Sequence, residues 1–86
     1  MRTDHVFTAL ANPVRRELLR LLLDEGDQPA GRLAEHFSLS RPSVSEHLRL
    51  LRHAGLVVER RQGRERLYTL DPQPLKDLRD WLTPYL

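Results

Sequence analysis

Apolar residues recur at helical spacing along most of this chain, and the breaks between runs fall at proline, glycine and serine. Val6, Phe7, Leu10 and Ala11 share one helical face, which predicts a first helix over residues 4–11. Asn12-Pro13 ends it and starts the next, with Asn12 as N-cap and Pro13 at the first helical position. Across residues 14–25 the apolar set Val14, Leu18, Leu21 and Leu22 keeps the helical period, Arg15, Arg16, Glu17 and Arg20 read as the polar side, and Gly26 supplies the stop. Leu33, Ala34 and Phe37 predict a short helix over residues 30–37, weakened in its first turn by Gly31. After the turn Ser38-Leu39-Ser40, Ser40 can cap a helix over residues 41–53 that tolerates Pro42 because it lies in the first turn. Val44, Leu48 and Leu51 face inward on it, Pro42, Ser45, Glu46 and Arg49 project outward, and Ser43 lies on the flank.

Beyond Ala54-Gly55 the period changes. Residues 56–61 and 66–70 read as strands joined by Gln62-Gly63-Arg64-Glu65, a hairpin over residues 56–70. A last helix over residues 74–85 carries Leu75, Leu78, Trp81, Leu82 and Tyr85, more apolar surface than a solvent-exposed end needs. The order helix, helix, short helix, turn, helix, hairpin, helix predicts a mainly α fold with one small β-hairpin (α+β), a winged helix-turn-helix forming one domain over residues 1–86.

At 86 residues and 40% hydrophobic content the chain supports one modest core, so a second copy would add stability. Phe7 and Leu10 near one end, with Leu75, Leu78, Trp81, Leu82 and Tyr85 near the other, are the expected homodimer interface; burial against their own domain is the alternative. The lack of cysteine excludes disulfides, thiolate metal ligation, cysteine-held iron–sulfur clusters and thiol nucleophiles. Met1-Arg2-Thr3-Asp4-His5 does not open a signal peptide and runs such as Leu21-Leu22-Leu23 cannot span a bilayer, so a cytoplasmic protein without membrane insertion is expected.

The formal charge of +2 conceals an asymmetry, because residues 41–66 hold seven arginines against three acids while each flanking stretch carries one excess acid. A polyanion would bind in that middle region; a solvated arginine face is the other reading. Double-stranded DNA fits the local pattern. Its major groove, about 12 Å wide, admits one helix, whose inner face must lock to a core while its outer face and N-terminus offer polar groups to base edges. Residues 41–53 meet that demand. Arg41 can bond guanine O6 and N7, Ser40, Ser43 and Ser45 offer hydroxyls to a base or a phosphate, and Pro42 can sit on a thymine methyl. Glu46 can accept from cytosine N4 or simply pair with Arg49 along the same helix. Arg49 and Arg52, with the wing residues Arg60, Arg61, Arg64 and Arg66, are expected on phosphates or in the minor groove. Charges on an exposed hairpin also block edge-to-edge pairing, which is the alternative for the wing.

Four segments make the chain resemble the ArsR/SmtB family of winged-helix repressors: Phe7-Thr8-Ala9-Leu10-Ala11-Asn12-Pro13-Val14-Arg15, Leu33-Ala34-Glu35-His36-Phe37-Ser38-Leu39-Ser40, the run from Pro42 to Val57, and Arg60-Arg61-Gln62-Gly63-Arg64. The resemblance implies a homodimer built from the first and last helices, an inverted-repeat operator, transcriptional repression, and Ser43 and Ser45 in the major groove. It also places the thiolate pair of the arsenic- and cadmium-sensing members at Pro29 and Gly31, which have no ligating side chain. Zinc-sensing members use Asp, His and Glu on the last helix, where this chain has Asp77 and Asp80 and no histidine. No metal and no cofactor are therefore expected, and an effector or antagonist protein is left as a further partner.

His36 and His53 read as surface residues, His47 as partly buried beside the core, and His5 as terminal, so a metal site made from them needs an arrangement the spacing does not predict. Ser43 and His47 stand four apart on a helix, as a nucleophile and base can, but no oriented acid or oxyanion loop accompanies them and no enzymatic activity is expected. Docking of the winged helix on a protein, with the wing serving solubility, is the remaining alternative to DNA.

Overall fold

The computed structural model describes residues 2–86, and five helices and one hairpin follow the predicted order. Helix α1 spans Arg2–Leu10 and α2 spans Pro13–Glu25. The Asn12 side-chain oxygen between them accepts from Val14 N at 2.8 Å and Arg15 N at 3.2 Å, so it caps α2 as the sequence predicts. Gly26 closes α2 at φ 82°, a left-handed value that favours glycine, and its N–H reaches back to Leu22 O at 3.0 Å.

Helix α3 is Ala30–Ala34, shorter than the expected 30–37. Pro29 at its N-cap provides no side-chain bond and Gly31 weakens its first turn, so after Ala34 the backbone tightens. His36 N bonds Leu33 O and Phe37 N bonds Ala34 O, the i to i−3 pattern of a narrower turn. Leu33, Ala34 and Phe37 still turn to the core as their spacing requires. Helix α4 is Arg41–His53, and its inner residues Val44, Leu48 and Leu51 are buried without residual exposure. With Val6, Leu18, Leu33 and Leu56 they form the centre of the hydrophobic core.

Strands β1 (Val57–Gln62) and β2 (Glu65–Leu70) pair antiparallel, Val57 opposite Leu70 and Gln62 opposite Glu65. The turn is therefore two residues, Gly63 and Arg64, rather than the four of the sequence reading. Only Gly63 has positive φ (64°), the pattern of a hairpin turn led by glycine. The wing is not free-standing: Gln28 in the loop before α3 exchanges backbone bonds with Tyr68 at 2.9 and 3.3 Å.

Helix α5 is Gln73–Leu82, followed by a 3₁₀ turn, Thr83–Tyr85. Pro84 has no N–H to give an i−4 carbonyl, so the helix predicted to run to residue 85 tightens in its last turn. On α1 the predicted face divides: Val6 and Ala9 are buried and Leu10 half-buried, whereas Phe7 and Ala11 are exposed.

Candidate nucleic-acid interface

The outer face of α4 is exposed from Arg41 to Ser43 and again at Ser45, Glu46 and Arg49. Its start is ordered by Ser40, whose hydroxyl accepts from Ser43 N at 3.2 Å and donates to Ser43 Oγ at 3.0 Å. Ser40 is thus engaged as a cap, while the Ser43 hydroxyl accepts from it and keeps its own proton for an outside acceptor. Arg41, Ser45 and Arg66 line one cleft with Tyr68 and the start of α3, bringing α4 and the wing onto the same surface. Gly31 makes room there, since a Cβ at that position would stand 3.0 Å from Arg41 Nη1.

Glu46 takes the pairing alternative. Arg49 Nε donates to its Oε2 at 2.9 Å and Arg49 Nη2 to its Oε1 at 2.7 Å, so both carboxylate oxygens are occupied. The guanidinium holds the Glu46 carboxyl below its ordinary pKa and is itself raised in return.

The wing arginines separate by the alternation of a strand. Arg61 and Arg66 are directly opposite in the ladder and share the face that carries Glu59 and Tyr68. Arg60 lies on the other face, where Nη2 meets Asp27 Oδ2 at 2.8 Å; this bond holds the Asp27 carboxyl below its usual range. Glu59 binds Arg52 at 3.0 Å and Arg66 at 3.4 Å. Among the described residues Arg61 and Arg64 have no carboxylate partner, which leaves the wing tip as the open cationic end.

Behind this surface stands a residue that the sequence reading put on the polar side. Arg15 is buried: Nε donates to Ala9 O at 2.7 Å, Nη2 to Thr8 O at 3.0 Å, and Nη1 meets His47 Nδ1 at 3.2 Å. One guanidinium therefore satisfies the C-terminal carbonyls of α1 and touches α4. The signal was present, because positions 15, 18, 19 and 22 make one helical stripe and the other three are leucines. Burial and then the Arg15 charge push the His47 pKa down, despite the opposing pull of Glu46.

With His47 facing Arg15 and Ser43 facing Ser40, the nucleophile–base pair considered for these two is not formed. His36 lies 3.6 Å from Glu25, and His5 and His53 meet edge to face with centroids 4.5 Å apart, a contact the sequence reading did not foresee. Among the described residues no group of three or more His, Cys, Asp or Glu side chains is placed to hold a metal ion. No described helix is long and apolar enough to cross a membrane.

Helix α1 also meets α5. Phe7 packs edge to face on Trp81 (5.3 Å between centroids), and Trp81 lies 5.4 Å from Tyr85. Trp81 is 49% exposed and Tyr85 74%, whereas Leu10, Leu75 and Leu78 also pack on the core.

A helix-turn-helix domain family matches residues 10–60. The transcriptional repressor SdpR of Bacillus subtilis is 39% identical over 83 residues, covering 96% of this chain and 91% of SdpR. The HTH-type transcriptional regulator Rv2034 of Mycobacterium tuberculosis is 42% identical over 76 residues, 88% of this chain and 70% of that protein. Among solved structures, an ArsR-like transcriptional regulator from Rhodococcus sp. RHA1 superposes with a TM-score of 0.86 at 32% identity, over 98% of this chain and 78% of its own. Fold, helix-turn-helix match and near full-length relatives agree: the chain belongs to the ArsR/SmtB family of winged helix-turn-helix transcriptional regulators.

Proposed function

We propose that this regulator is a homodimeric repressor that binds an inverted-repeat operator, with one α4 helix per half-site in the major groove and the wing on the flanking backbone. The observation that carries the reading is α4 itself, whose inner face is wholly buried while Arg41, Ser43 and Ser45 stand exposed beside an arginine-rich hairpin. Arg41, Ser43, Ser45 and Pro42 then face base edges, and Arg49, Arg52, Arg61, Arg64 and Arg66 face phosphates. Glu46, paired with Arg49, orients that arginine in preference to reading a base. The exposed aromatic row Phe7, Trp81 and Tyr85 supports dimerisation through α1 and α5, which sets the two recognition helices about 34 to 36 Å apart. Pro29 and Gly31 stand where the thiolate sensors of the family carry ligands, so release from DNA follows a signal other than thiolate-bound metal.

Selection of bound duplexes from a randomised pool tests this reading. Enrichment of an inverted repeat is expected, and binding without enrichment, or no binding at low salt, overturns it. Arg64→Ala should weaken binding to every duplex and reduce the salt slope by about one, whereas Ser43→Ala or Ser45→Ala should change the enriched bases.

A further inference from the structure

We propose that Glu59 sets the specificity of the DNA contact by gathering Arg52 and Arg66 into one ion cluster that restrains their pull on the phosphate backbone. The proposal rests on the DNA-binding reading above and adds to it a residue that touches no base.

Glu59 sits on β1 and reaches in two directions, to Arg52 in the last turn of α4 at 3.0 Å and to Arg66 on β2 at 3.4 Å. Its side chain is 17% exposed, against 47% for Arg52 and 67% for Arg66, so the acid lies beneath the two cations and they lie outermost. Tyr68 is directly opposite Glu59 in the ladder, and its phenol pKa is raised by burial and by the carboxylate's charge. Glu46 presents a contrast: it holds a single arginine of its own helix, and both partners are more than half exposed. Among the described residues only Glu59 joins arginines from two elements that the proposed complex uses differently, the end of the recognition helix and the wing.

Two consequences follow from charge and geometry. The cluster carries one net positive charge where the two arginines alone would carry two, which lowers the attraction that every DNA sequence feels equally. A guanidinium has five N–H donors, so each arginine keeps donors for a phosphate while bound to the carboxylate, but from a fixed position. Specificity is the ratio of operator to non-specific affinity. An acid that lowers the common term and fixes the wing against α4 raises that ratio without reading a base.

The test compares the full chain with Glu59→Gln, titrated against the enriched duplex and a shuffled duplex between about 50 and 200 mM salt. The variant should bind the shuffled duplex about three- to tenfold more tightly at the low-salt end, with a slope steeper by about one per protomer and a smaller operator-to-shuffled ratio. A wild-type protein with no preference for the enriched duplex overturns the DNA-binding reading. A wild type that discriminates, beside a variant with unchanged slope or with equal loss on both duplexes, overturns the role of Glu59 alone. Should circular dichroism show Glu59→Gln unfolded, the double variant Glu59→Gln/Arg52→Gln restores the cluster's charge. Its slope should match wild type while the ratio stays low, and a slope shallower than wild type or an unchanged ratio overturns the proposal.

Discussion

Helices α4 and α5 are both amphipathic, yet they finish differently. The apolar face of α4 is completed inside the chain, with Val44, Leu48 and Leu51 buried against α2, α3 and β1. On α5 only Pro74 is buried, Leu75 and Leu78 are half covered, and Trp81 stays open beside Phe7. The same sequence signal therefore has two outcomes: one helix holds the fold together, and the other leaves apolar surface uncovered. Which outcome applies depends on the number of layers above the helix, and periodicity does not encode that.

The largest expected effect breaks the first half of this contrast. Leu48→Ala should cost about 2–5 kcal/mol by cavity formation, a large part of the stability of a domain this size, and denaturant unfolding would measure it. On the proposed dimer, Trp81→Ala should behave oppositely, changing protomer stability by about 1 kcal/mol while raising the dimer dissociation constant at least about tenfold in sedimentation velocity. An undisturbed dimer would place the interface elsewhere.

Two smaller effects sharpen how α4 is anchored. Arg15→Met should destabilise by about 1–3 kcal/mol, because Thr8 and Ala9 lose side-chain donors at the end of α1; a variant as stable as wild type would show that the bridge is not mechanical. The last effect is a pH dependence. Because the folded-state pKa of His47 is depressed, the folded protein binds this proton less readily than the unfolded chain. Its contribution is complete above the unfolded value of about 6.5 and is lost as pH falls below it toward the lower folded value. His47→Gln should flatten the fall in denaturant midpoint across that window, and an identical fall in both proteins would assign it to another group.

Much of the architecture was legible because capping and periodicity are local. Asn12, Ser40 and Gly26 act as their sequence context predicts, and the inner residues of α4 are those the spacing selects. Arg15 was misread because an arginine is normally a surface residue; burial became tolerable only when α1 turned two carbonyls toward it, a fact of tertiary arrangement. The division of the wing arginines was equally hidden. Alternation puts Arg60 and Arg61 on opposite faces whatever the pairing, but Asp27, the partner of Arg60, is brought near by the docking of β2 on Gln28. The meeting of His5 with His53 likewise follows from how α1 lies against the end of α4.

The completed inner face of α4 also bears on how such a regulator can change over generations. Val44, Leu48 and Leu51 hold this helix from its buried side, and His47 meets the buried Arg15. Exposed positions such as Arg41, Ser43 and Ser45 can be exchanged at a stability cost usually within about 0.5 kcal/mol. On the proposed reading, lineages can drift to new operators, and an engineer can graft a new reading surface, while the scaffold and the distance between the two readers remain as they were.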